Sequence, residues 1–139
     1  MTRSVQSKYP DFSDEQARSL RVAILNAIPD CLVVGYGHAV ERIDIEDIND
    51  RHVVAAGVHA KAQLIVTDDT DFTPTALEVH GLEAQGPDDF LTDLFDLNET
   101  VMRQVVAEEA MAREISVDAL IELLDERSGL IRFSQHLRR

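Results

Sequence analysis

The sequence predicts an α/β fold followed by a helical region, and three observations lead there. The runs QLIVT and LEAQ read as short strands, each flanked by segments of helical character. Such alternation is the pattern of a parallel sheet with helices packed on it. From Asn98 onward the chain reads as helix almost throughout. Its 139 residues lie within the range of one domain, and 45% are hydrophobic, enough for a core. With no Trp and 5% aromatics, that core is expected to consist of Leu, Ile, Val and Ala.

Taken in order, Ser13 with Gln16 three residues later is a capping-box pattern. It opens a helix whose apolar positions Ala17, Leu20, Ile24, Leu25 and Ile28 follow helical spacing, and Pro29 stops it. CLVVGY then reads as a short strand ended by Gly35 and Gly37, with Cys31 as a small buried hydrophobe. HAVERIDIEDIND carries no strong turn signal. Asn49 or Asp50 can cap the next helix, whose small-residue face is Val53, Val54, Gly57, Val58 and Ala60. QLIVT is nearly continuous in apolar residues, as in a strand covered on both sides.

Thr73-Pro74 provides a cap and a first-turn proline for a short helix closed by Gly81. Gly86-Pro87 starts PDDFLTDLFDL, with Phe90, Leu91, Leu94, Phe95 and Leu97 on one apolar face. Two further helical stretches separate near Ser116 and are interrupted at Gly129. They are expected to pack on the α/β part through Val101, Val105, Leu120, Leu123 and Leu124.

Charge is unevenly spread. The formal net charge is −13, and Glu41 through Glu99 hold 15 acids against Arg42, Arg51 and Lys61. Four arginines and no acid follow from Arg127 on. A uniformly acidic surface repels nucleic acid, because affinity for phosphate comes from Lys and Arg. Bound metal inverts that local field, so acidic patches still act on phosphate. No apolar run approaches the ~18 residues of a membrane helix, and the start lacks a signal-peptide core. A lone cysteine fits a reducing cytoplasm.

Asp50 opens a helix, and Asp69 follows the strand QLIVT after it. Acidic side chains at the end of a strand in such a unit are a usual way to hold a divalent metal against phosphate. The plainer alternatives are Asp50 as a helix cap and Asp68, Asp69 and Asp71 as turn residues. His52 and His59, seven apart, do not have the i, i+4 spacing of a helical metal pair and read as surface or packing residues.

DINDRHVVAAGVHAKAQLIVTDDTDF followed by LEAQGPDDFLTDLFDL resembles the C-terminal half of a PIN domain. It is most similar to the branch containing VapC-type toxin ribonucleases with a helical C-terminal extension. The resemblance implies a three-layer fold, a parallel sheet with helices on both faces. Residues 1–97 would form the PIN-like domain and 98–139 the C-terminal helical region. It implies carboxylates that gather Mg²⁺ or Mn²⁺ to hydrolyse RNA. In that pattern Asp50 opens the helix before the late strand, and Asp69 stands third in the T-x-D-x-D-F sequence from Thr67 to Phe72. These two are expected to be catalytic and metal-binding, with Asp71 and Asp47 as further metal ligands. Thr67 lies where the family has a hydroxyl beside the metal, and Arg51 either contacts phosphate or pairs with an acid.

The family's opening strands, with its first metal-binding Asp and its second acid, have no counterpart here. An N-terminally truncated domain is therefore expected, with an activity impaired or dependent on ligands supplied from elsewhere. RNA as ancestral substrate, an antitoxin partner and no membrane association follow from the resemblance. The alternative is an inactive remnant serving as an oligomerisation or binding module, since a sheet lacking strands exposes edges that favour homo-oligomers. A receiver-type phosphorylation domain ranks third, because the aspartates follow a late strand and no suitable lysine lies downstream.

Overall fold

The computed structural model describes residues 11–45 and 47–139. The first ten residues, which include most of the start read as lacking a signal-peptide core, lie outside that range. Helix α1 spans Asp14–Ala27, and its capping box forms as the sequence predicts. Ser13 Oγ accepts from Gln16 N at 3.2 Å, and Gln16 Oε1 accepts from Ser13 N at 2.8 Å. Only Ala17 of this helix is buried. Ile24 and Leu25 are half-buried, while Leu20 and Ile28 of the stripe, and Leu32 and Val34 beyond it, are exposed.

CLVVGY forms no strand, and Cys31 is exposed, which corrects both expectations for this run. A strand needs a neighbour to satisfy its backbone groups, and none of the described residues pairs with it. A 3-10 helix, Gly37–Arg42, occupies the stretch without a turn signal and leads into the buried Ile43 and Ile45.

Helix α2 is Arg51–His59 and buries Val54 and Ala55, while Val53 and Val58 are exposed. Its end is closed by Lys61 in the left-handed region, φ +55°. Ala62 N donates to Gly57 O and Lys61 N to Val58 O, the paired bonds of a Schellman ending. Strand β1, Leu64–Val66, is followed by helix α3, Pro74–Glu78, capped by Thr73 Oγ1 accepting from Ala76 N at 3.3 Å. Gly81 at φ +71° ends α3 as predicted and turns the chain into β2, Glu83–Gln85.

The two strands pair in parallel, Leu64 opposite Glu83, Ile65 opposite Ala84 and Val66 opposite Gln85. Among the described residues they form a two-stranded sheet in a mixed α/β structure that is mostly helical. The strand expected to be covered on both faces is covered on one, since Ile65 is buried and Val66 is 42% exposed. Ile43, Ile45, Val54, Ile65, Phe72, Leu77 and Leu82 pack into a first apolar cluster.

Helices α4 (Pro87–Leu97), α5 (Glu99–Ala112), α6 (Val117–Glu126) and α7 (Ile131–Leu137) build a second cluster. Phe95, Val106, Ala110, Leu120, Ile121, Phe133 and Leu137 are its buried residues, with Leu91 packed against them. The C-terminal helices therefore bury their apolar faces against one another and α4. Val101 and Val105, expected as docking residues, are each 50% exposed. Leu97 is also outside the core at 81% exposure.

Polar contacts fasten α7 at both ends. Asp88, on α4, accepts from Arg132 N and Phe133 N, both at 2.9 Å. Arg132 also pairs with Asp89. At the other end Arg103 Nη1 donates to Leu137 O at 2.8 Å, and its guanidinium lies 5.2 Å from the centre of the Phe95 ring.

Candidate metal centre

The carboxyl end of β1 and the start of α2 face the same region, as in α/β sheets whose ligands bind beyond the strand ends. Asp47, Asp50 and Asp71 each place a carboxylate oxygen so that all three lie within 4.8 Å of one another. Asp50 stands at the N-cap position of α2 but makes no side-chain cap hydrogen bond. Its backbone is helical there, φ −82° and ψ −17°, rather than the extended form of a capping residue. The capping alternative is thus not realised, and the carboxylate is free to face the other acids.

Electrostatics report the same convergence. The Asp50 carboxyl is raised above its ordinary value, first by burial and then by the charges of Asp47, Asp69 and Asp71. Asp69 is close enough to contribute to that field but lies outside the set of three. Its Oδ1 instead accepts from Asp71 N at 3.0 Å, and its own N donates to Thr67 Oγ1 at 3.0 Å. These bonds form a short ladder, Thr67 fixing Asp69 and Asp69 fixing Asp71. The turn role weighed for Asp69 is real, and it serves to position Asp71.

Asp47 Oδ1 accepts from Asn49 N at 2.7 Å and Asn49 Nδ2 at 3.0 Å, which orients its carboxylate. Asn49, expected as a helix cap, instead orients this neighbouring acid. Arg51 is turned the other way, its Nε donating to Ile45 O at 3.3 Å. Arg51 thereby ties the acidic segment to α2. His52 lies edge-on to Tyr36 and His59 edge-on to His38, in keeping with packing roles.

A hard, oxygen-preferring divalent cation suits this donor set, since three carboxylate oxygens can meet at one point. Crowded carboxylates that form no ion pair among the described residues are what such an ion would relieve.

Over 82 residues the chain is 34% identical to a Mycobacterium tuberculosis protein named "Putative ribonuclease VapC50". The matched stretch is 58% of this chain and 48% of that protein, so the chain spans about half the length of the curated relative it matches. No solved structure matches the chain. Residues 87–139, which hold α4 to α7, match the family model of the VapC50 C-terminal domain, so the similarity of this part of the chain is to VapC50 proteins.

Proposed function

We propose that Asp47, Asp50 and Asp71 are the metal-binding residues of a VapC-type endoribonuclease that hydrolyses RNA with Mg²⁺ or Mn²⁺. The observation that carries this reading is the convergence of three carboxylates from two separate segments at the end of β1. When bound, the ion supplies water activation and charge stabilisation at phosphorus. Asp50 and Asp71 bind it from opposite segments, Asp47 completes the set in an orientation fixed by Asn49, and Asp69 with Thr67 holds Asp71 in place. RNA as substrate and an antitoxin as partner belong to this reading and rest on the VapC similarity. So does a three-layer PIN-like architecture for the part before α4. The helical domain then begins at residue 87 rather than 98, since α4 packs into the second cluster and the family model starts there.

The full chain incubated with RNA and Mn²⁺ tests the site, with Asp50→Asn and Asp71→Asn as controls. Each substitution is expected to lower metal-dependent cleavage by at least about 100-fold, the upper range for losing groups that merely support a metal ligand. Cleavage that survives both substitutions rejects this site.

A second reading, a non-catalytic module that associates with further copies, is favoured by a different observation. Leu20, Val22, Ile28, Leu32 and Val34 are all more than a third exposed around α1. Light scattering of the full chain at micromolar concentration tests it, and a compact monomer would remove it.

A further inference from the structure

Beside the acidic cluster the surface opens into a groove of about 530 Å³, lined among others by Asp44, Thr70, Asp71, Thr73, Thr75 and Val79. Asp71 belongs to both the groove and the cluster. We propose that this groove holds the ribose next to the scissile phosphate, and that Asp44 selects RNA by accepting a hydrogen bond from the 2′-hydroxyl. This deepens the nuclease reading and rests on it.

Three features favour a ribose over a phosphate or a base edge. Among the described residues no Lys or Arg lines the groove, so they offer no counter-charge to a phosphate. The polar lining consists of threonine hydroxyls and two carboxylates, a set suited to sugar hydroxyls. Thr73 Oγ1 already accepts from Ala76 N, which leaves its proton to be donated to a ligand oxygen. Val79, 77% exposed at the rim, adds apolar surface against which a sugar or base can rest.

Asp44 is held outward by its neighbours. Ile43 and Ile45 on either side are buried, so the intervening side chain is directed to solvent. Asp44 makes no hydrogen bond or ion pair with any described residue, unlike Asp47, Asp69 and Asp71. An ionised carboxylate only accepts, and the 2′-hydroxyl is the donor that RNA has and DNA lacks.

The test is fluorescence anisotropy of the full chain with a labelled single-stranded RNA and the DNA of the same sequence, in Ca²⁺. Wild type is expected to bind RNA about tenfold more tightly than DNA, the value of one hydrogen bond to a charged acceptor. Asp44→Ala should weaken RNA binding alone and bring the ratio near one. Asp44→Asn, which keeps an acceptor oxygen, should retain part of the preference. A wild-type ratio near one, a ratio unchanged in Asp44→Ala, or no binding of either strand overturns the proposal. Mn²⁺ binding followed by electron paramagnetic resonance, without nucleic acid, tests the metal centre separately. An RNA preference that depends on Asp44 in a chain that binds no Mn²⁺ would keep the groove and reject the nuclease reading.

Discussion

The two apolar clusters solve the same problem with different means. The first gathers buried residues from short elements, α2, β1 and α3, and from the connecting segments that carry Ile43, Ile45, Phe72 and Leu82, beside a group of carboxylates. The second is four helices whose polar ties reach across more than thirty residues of sequence, from Asp88 to Phe133 and from Arg103 to Leu137. The first spends charge repulsion at a candidate site, while the second uses charge to fasten its last helix. Regions that position reactive groups commonly give up some stability to do so.

The largest effect should come from the centre of the second cluster. Phe133 is 3% exposed, and Phe133→Ala should cost about 3–5 kcal/mol by cavity formation. Chemical denaturation followed by circular dichroism checks this. A loss confined to the C-terminal helices would show that the clusters unfold separately, whereas one cooperative transition would join them. Next is Asp88→Ala, which removes both acceptors at the start of α7 and should cost about 1–2 kcal/mol. A change below a few tenths would mean that α7 holds without its cap.

In the first cluster the informative variable is pH. Because the Asp50 carboxyl is raised, the folded protein keeps that proton to higher pH than the unfolded chain does. The resulting stability is complete below the ordinary value of 3.8 and is lost as pH rises through the folded value. At pH 7 without metal, Asp50→Asn is therefore expected to raise Tm, and to abolish the increase that Mn²⁺ gives the wild type. An equal response of both proteins to Mn²⁺ would place the metal elsewhere.

The smallest expected effect compares the clusters directly. Lys61 and Glu114 both adopt left-handed conformations at helix ends, φ +55° and +57°, with the same pair of closing hydrogen bonds. Lys61→Gly and Glu114→Gly should each stabilise by about 0.5–1 kcal/mol, as the β-carbon strain is relieved. Unequal gains would identify the region whose helix end is under the greater strain.

Much of the local structure was legible in the residues. The capping box at Ser13, the Thr73-Pro74 start, the Gly81 ending and the β1–α3–β2 unit all form where short-range chemistry put them. Asp50 and Asp69 were candidates from their places around β1, and Asp47 and Asp71 only through the resemblance; the structure brings Asp47, Asp50 and Asp71 together. Leucine or valine periodicity did not reveal which faces would be covered, so Val66, Val101 and Leu97 are more exposed than their patterns suggest. The polar partners of α7 were equally hidden, since Asp88 and Arg132 are 44 positions apart.

What the chain determined by itself is where helices begin and end and where negative charge collects, because caps, turns and composition act over a few residues. Tertiary structure decided that Asp69 would brace Asp71 rather than join the tight trio, and that α4 would pack with the last helices. It also decided that Ala17 of α1 would be buried while Leu20 and Ile28 meet solvent. Burial and convergence depend on partner surfaces distant in sequence, and only the folded chain brings those surfaces together.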